Sequence, residues 1–397
     1  MPASGSSPIA STPSPKPTPR CWITCGAALS PYSDMSVHKI SALAAVQEWP
    51  DAQAMATPAT SPLVVDVRSP SEYALDHLPH AHNWPVLDDE QRQAIGTFYK
   101  QVSPFEANKL GAAWVSQNIA KHLLTHVQLL DRNWKPYVYC WRGGQRSGSL
   151  AHVLGQVGFT IRLIEGGYKA FRQAMLDDLT HRSGQLRFVV IHGATGTGKT
   201  RLLHHLQQLG AQVLDLENLA SHRSSVLGQL PGQSQPSQKR FDTLMWQAVR
   251  LFDLQRVVFV EAESKRVGAL TIHPQLFERM QASPMVNLQA SLSDRVRLLC
   301  EDYAHFVGDV PLFATRLAAL KPIVGTAVYD QWLAACQQGQ WSVVVQDLLT
   351  RHYDPNYLKA SDRLFPLART AIDMPLKDLG EESLRQCAQT LMGKWQA

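Results

Sequence analysis

The sequence predicts an α/β protein with two successive parallel-sheet units and a mostly helical C-terminal part. Three observations predict it. Short apolar runs alternate with helical periodicity in two series along the chain, the pattern of parallel strands joined by helical crossovers. Each series contains a strand that runs straight into a Gly-rich loop, "YCWRGGQRSGS" from Tyr139 and "GATGTGKT" from Gly193. From about residue 291 onward the apolar spacing is mostly helical.

The 397 residues exceed one ordinary domain, and the 45% apolar content suits full-sized cores. Residues 1–35, rich in Ser, Pro, Ala and Thr, read as a disordered extension. Residues 36–178 read as the first α/β unit. "LVVDV" and "PYVYC" are short strands, Lys109 to Leu130 has helical periodicity, "GSLAHVLGQVG" is a helix closing at Gly158, and "TIRLIEGG" is a further strand. The polar stretch around 175–186 reads as a boundary. Residues 184–290 read as the second unit, with strands in "LRFVVIHG", "AQVLDLE", "RVVFVEAES" and "PMVNLQAS". Residues 291–397 read as the helical part, packed on the second unit.

Several classes are disfavoured. The six cysteines are scattered, so no disulfide framework is expected, and Cys21 and Cys25 lack the second pair a zinc site needs. No apolar run approaches the roughly 20 residues that span a bilayer, and no signal peptide is visible. The expectation is a cytoplasmic protein without a membrane partner. A formal charge of +5 is compatible with an RNA partner without requiring one.

"GATGTGKT" fits the phosphate-binding pattern G-x-x-x-x-G-K-[ST], with a strand before it and an apolar-periodic helix after it. Gly193, Thr195, Gly196 and Gly198 would wrap backbone N–H groups around a diphosphate, Lys199 would neutralise it, and Thr200 could hold magnesium. Asp215, Glu261 and Glu263 end neighbouring strands and are the candidate magnesium ligands or bases. Glu261 stands where such strands usually carry Asp, which weakens the case for fast nucleotide hydrolysis.

Cys140 ends a strand and enters a loop bearing Arg142, Gly143, Gly144 and Arg146. Two arginines and a helix start beside a thiol favour its nucleophilic form. Sulfur-group transfer through a persulfide and phosphate-ester hydrolysis through a phosphocysteine both use such a loop. Upstream, "VVDVRSPSEYALDHLPHAHNWPV" resembles the rhodanese signature: Asp-x-Arg, Glu-Tyr, His-Leu-Pro, Asn-x-Pro. Both chemistries share that fold, and the seven-residue span from Cys140 to Arg146 is the phosphatase length.

The fusion decides between them. A rhodanese-like unit followed by a P-loop unit, with "AIGTFYKQVSPFEANKLGA", "CWRGGQRS", "LIEGGYKAFR", "GATGTGKT", "LDLENLASHRSS" and "FVEAESKRVG" in order, resembles the tRNA 2-selenouridine synthase family from about residue 36 to the C-terminus. One departure is His80, where the family usually has Gly, so a left-handed turn residue there is expected to be strained. The extension before residue 35 also lies outside the family pattern.

The resemblance implies an enzyme that replaces the 2-thio sulfur of a wobble uridine in tRNA by selenium from selenophosphate. The route runs through S-geranyl-2-thiouridine made from geranyl diphosphate. Carried onto this chain, Cys140 is the essential loop cysteine, assisted by Arg142 and Arg146, and the P-loop grips the prenyl diphosphate rather than ATP. The partners implied are tRNA carrying 2-thiouridine and an enzyme that supplies selenophosphate. Arg223, Lys265 and Arg266 are the candidate phosphate or tRNA contacts, and Trp141 is either a base-stacking platform or ordinary packing. Two rivals remain: a Cys-dependent phosphatase fused to a small-molecule kinase, and a non-catalytic, nucleotide-gated RNA-binding module.

Overall fold

The computed structural model describes residues 36–50, 62–229 and 231–395. The expected extension and the Cys21/Cys25 pair lie outside the described residues. The first sheet holds β1 (Val37–Ile40), β2 (Val64–Asp66), β3 (Ala81–Asn83), β4 (Tyr137–Tyr139) and β5 (Ile161–Ile164), in the order β1-β5-β4-β2-β3 and parallel throughout. Its central strands β2 and β4 are buried on both faces, which is why they read as continuous apolar runs rather than alternating ones.

The second sheet holds β6 (Arg187–His192), β7 (Gln212–Leu214) and β8 (Val257–Glu261). A two-residue hairpin, β9 (Arg266–Val267) with β10 (Leu270–Thr271), comes next and lies outside it. The chain then returns with β11 (Met285–Gln289) and β12 (Ile372–Pro375). The order is β12-β11-β6-β8-β7, again parallel. From central β6 the chain goes to β7 and β8 on one side and to β11 and β12 on the other. The carboxyl end of β6 is therefore the topological switch point where α/β sheets bind ligands.

Strand β12 departs from the expectation of a helical C-terminal part. "IDMP" is four residues long, half-buried on alternate positions, and stopped by a proline that only an edge strand tolerates. The helix Glu381–Trp395 comes after it and lays Leu384, Cys387, Ala388 and Leu391 against Leu202, Leu203 and Leu206 of the helix Lys199–Gln208. The helices between residues 292 and 353 close a separate apolar cluster around Phe313, Leu317, Trp332 and Leu348.

The polar stretch around 175–186 forms the end of one continuous helix, Gly167–Gln185. Its Asp177 and His181 face outward, Asp178 turns toward the second unit, and Phe171, Met175 and Leu179 extend a buried stripe at four-residue spacing. That helix packs on the helix Gln238–Val249 of the second unit. Phe171 meets Trp246 edge-on at 5.9 Å, Trp246 Nε1 donates to Asp178 at 2.8 Å, and Arg172 pairs with Asp242 at 2.5 Å. Thr243 donates to Asp76 of the first unit at 3.1 Å, and one apolar core runs through both units. His80 does adopt the left-handed conformation, φ 59°, and its ring shares a 3.1 Å hydrogen bond with the amide of Gln247 across this interface.

Candidate functional site

Cys140 comes directly after β4, and the helix Gln145–Val157 begins four residues after Trp141. The loop between them is pinned by the start of the helix Gly167–Gln185. Tyr168 N donates to Cys140 O at 2.8 Å, and Lys169 N donates to Trp141 O at 3.0 Å. This close approach explains the glycine pair of "EGGYK". A Cβ on Gly167, which has φ 59°, would stand 2.3 Å from Cys140 O and 2.5 Å from Gly143 N. The Cys140 sulfur is nearly enclosed, at 3% exposure, and accepts from Gly144 N at 3.3 Å and from the Ser147 hydroxyl at 3.1 Å. These donors suit a sulfur that carries negative charge.

The two arginines of the loop part company. Arg142 is exposed. Arg146 turns away to Glu72 with a 2.7 Å ion pair and a second contact at 3.4 Å. Burial works against ionisation of Glu72, but the hydrogen bond and charge of Arg146 outweigh it and hold the carboxyl below its ordinary value. Trp141 stacks on Tyr168 at 5.2 Å and carries the Lys239 ammonium 5.4 Å from its ring centre, so it is packed between the two units. The signature residues upstream are structural. Asp66 holds Arg68 at 2.6 Å and accepts from Tyr139 at 2.7 Å, while Asn83 donates to the carbonyls of Asp66 and Arg68.

The P-loop lies at the carboxyl end of β6 and opens on a cavity of about 570 Å³. Thr195, Gly196, Gly198, Lys199, Thr200, Arg223 and Glu263 line it. Gly193 has φ 154°, and a Cβ there would meet Leu288 O at 2.9 Å, so only glycine fits. Lys199 Nζ donates to Gly193 O at 2.8 Å, and Gly193 N donates to the Tyr357 hydroxyl at 2.8 Å. Arg295 supports the loop from behind, donating to Thr195 O at 2.8 Å and pairing with Asp354 at 2.6 Å. Arg223 donates to Asp302 O at 3.1 Å and lies 5.0 Å from the Tyr303 ring centre, at the cavity's rim.

The acidic candidates separate as well. Asp215 does not line the cavity. It caps Asn218 N at 2.8 Å and lies 3.4 Å from His204. Glu217, two residues on, takes the inner position: Thr200 donates to it at 3.3 Å and Ser224 N at 2.6 Å. Glu261 is fully buried behind it, accepting from Glu217 N at 3.0 Å, with its second oxygen lacking a partner. Burial first, then repulsion from Glu217, raises the Glu261 carboxyl well above its ordinary value and the Glu263 carboxyl to about 8. Burial also raises Glu217. Lys265 and Arg266 are exposed on the hairpin and outside the cavity lining.

Comparison with known proteins agrees with this architecture. A family model described as "tRNA 2-selenouridine synthase AAA domain" matches residues 186–309, and a "Rhodanese-like domain" model matches residues 48–174. A tRNA 2-selenouridine synthase of Aeromonas salmonicida is 31% identical over 74% of this chain and 86% of its own length. That of Cupriavidus pinatubonensis is 32% identical over 74% and 87%. That of Nitrosomonas europaea is 36% identical over 62% of this chain and 64% of the relative. The chain belongs to the tRNA 2-selenouridine synthase family. Among the described residues no helix is long and apolar enough to cross a membrane.

Within that family architecture, reasoning from the sequence missed Ser147, Glu217 and Tyr357. Ser147 lies in the first turn of the helix after the loop, seven residues after Cys140. Glu217 lies in "LDLE", two residues after Asp215. Tyr357 carries no local signal, because 164 residues separate it from the glycine it touches.

Proposed function

We propose that this chain exchanges sulfur for selenium at the 2-position of the wobble uridine of tRNA in two steps served by its two Gly-rich loops. In the first, the thio sulfur attacks C1 of geranyl diphosphate. A C–S bond forms, the C–O bond breaks, and inorganic diphosphate leaves. In the second, the selenium of selenophosphate attacks C2 of the base, a C–Se bond forms and the C–S bond breaks with loss of geranylthiol, and water then cleaves the Se–P bond and releases inorganic phosphate.

The P-loop amides and Lys199 hold the diphosphate, with Arg223 at the rim. Magnesium fits beside them. Thr200 and Glu217, whose oxygens are neighbours, would hold it, with the buried acids Glu261 and Glu263 close by, and it would supply positive charge to the leaving diphosphate. Among the described residues no three His, Cys, Asp or Glu side chains form a metal cage by themselves, so the ion would arrive with the diphosphate. Cys140, under Gly144 N and Ser147, handles the chalcogen.

One observation carries the choice of a diphosphate donor over a hydrolysed nucleotide. Glu261, at the end of β8 where a hydrolytic strand would carry its acid, accepts from the backbone of Glu217 and does not line the cavity, which favours a diphosphate ester over a hydrolysed nucleotide. The phosphatase reading has less support, because the arginine that would grip a phosphate, Arg146, is held by Glu72. The test is incubation with 2-thiouridine tRNA, geranyl diphosphate and then selenophosphate, followed by mass spectrometry of the nucleosides. A geranyl adduct and then selenouridine are expected. Unchanged 2-thiouridine with wild-type protein would end this reading.

A further inference from the structure

The P-loop cavity does not end at its polar wall. It continues into an apolar slot between the helices Leu292–Asp302, Val310–Leu317 and Trp341–Leu348. Thr195, Ser225, Leu299, Tyr303 and Tyr353 line both spaces. Beyond them the slot walls are aliphatic and aromatic, Leu227, Phe306, Phe313, Trp341, Val345 and Leu348 among them. Ser225 and Tyr303, 3.4 Å apart, mark the junction, and past it no amide or carboxylate side chain lines the slot. A ligand spanning both spaces therefore has an anionic head and a hydrocarbon tail.

Size sharpens the argument. The slot holds about 50 Å³. That is well under the roughly 150 Å³ cavity that admits a benzene ring, so a purine does not enter, whereas a narrow chain enters end-on with its first carbons still in the larger cavity. One wall of the slot is built of interlocked rings, Phe306 on Phe313 at 5.4 Å and Phe313 on Trp341 at 5.2 Å.

We propose that this slot seats the hydrocarbon tail of a diphosphate ester whose head lies on the P-loop, and that Phe313 and Trp341 limit the length of chain accepted. The proposal rests on the reading of the P-loop as a prenyl-diphosphate site and adds where the tail goes and what measures it. Burial gains about fourfold in affinity per methylene, so even a partly seated tail is measurable.

The test is calorimetric binding to the full chain of inorganic diphosphate and of its five-, ten- and fifteen-carbon prenyl esters. The variants are Val345→Phe, which fills the slot, and Trp341→Ala, which lengthens it. Unaltered binding of inorganic diphosphate certifies that each variant is folded with its P-loop intact. The wild type should bind the ten-carbon ester at least tenfold more tightly than inorganic diphosphate. Val345→Phe should erase that advantage, and Trp341→Ala should move the preference to the fifteen-carbon ester. If the ten-carbon ester keeps its advantage and its rank in both variants, the slot is not the tail site, although the P-loop reading stands. If the wild type binds every ester no better than inorganic diphosphate, the P-loop reading falls, and this inference with it.

Discussion

The two Gly-rich loops are built alike and finished differently. Each leaves the carboxyl end of an inner parallel strand and feeds a helix. Over the first, the start of the next helix closes down, so that Cys140 keeps only two donors and almost no solvent. Over the second, the next elements stand back. Helices from the C-terminal part wall a cavity of about 570 Å³ instead of filling it. The same strand–loop–helix unit thus gives an enclosed sulfur in one place and an open cavity in the other. The elements packed over each loop make the difference, not the loop itself.

The largest effect should come from emptying the open loop. On the proposed reading Lys199→Ala removes the loop's charged donor to the diphosphate, and kcat/KM for geranylation should fall by about two orders of magnitude or more. Steady-state kinetics with the ten-carbon donor check this, and a loss under tenfold would mean that the ammonium does not touch the diphosphate. The closed loop should respond in the other step. Cys140→Ser should abolish selenouridine while the geranyl adduct still accumulates. Ser147→Ala, which removes one of two donors to the sulfur, should slow selenation by about tenfold. Equal loss of both products in Cys140→Ser would erase the distinction between the loops.

Legibility divided along the same line. Strands β2, β4, β6 and β8 could be read because burial on both faces makes them apolar throughout, and both loops announced themselves in their glycines. Which side chains face inward was less legible. Asp215 and Glu217 lie two residues apart, and the capping of Asn218 by Asp215 turns it outward and Glu217 inward. Arg146 has the sequence context of an anion ligand, but Glu72, 74 residues earlier, folds beside it and takes its charge. Spacing along a chain carries no information about such partners. The missing edge strand β12 has the same cause: four residues pair with β11, 86 positions away, and little in their own sequence announces it.

Breaking the Glu72–Arg146 pair tests whether the closed loop is held from outside. The pair is only partly exposed, so Arg146→Gln should lower stability by about 1–3 kcal/mol, with Glu72→Gln similar. The double variant should cost no more than either single one. Thermal unfolding of the four proteins checks this, and strictly additive losses would mean the two groups act independently.

A last effect separates the loops by pH. The Glu263 carboxyl has an ordinary value of 4.5 and stands at about 8 in the fold, chiefly through burial and then through Glu217. Between those values the folded chain holds a proton that the unfolded chain has released. Stability therefore falls as pH rises through that window, and the fall is complete above the folded value. Glu263→Gln removes the proton and with it this share of the slope, while Glu261 keeps its own. Melting temperatures in magnesium-free buffer from about pH 5 to about pH 8 should fall less steeply in Glu263→Gln than in wild type. Adding magnesium with diphosphate should flatten the wild-type curve, because a bound cation favours the ionised acids. Parallel curves for the two proteins would place Glu263 outside the acidic group of Glu217 and Glu261.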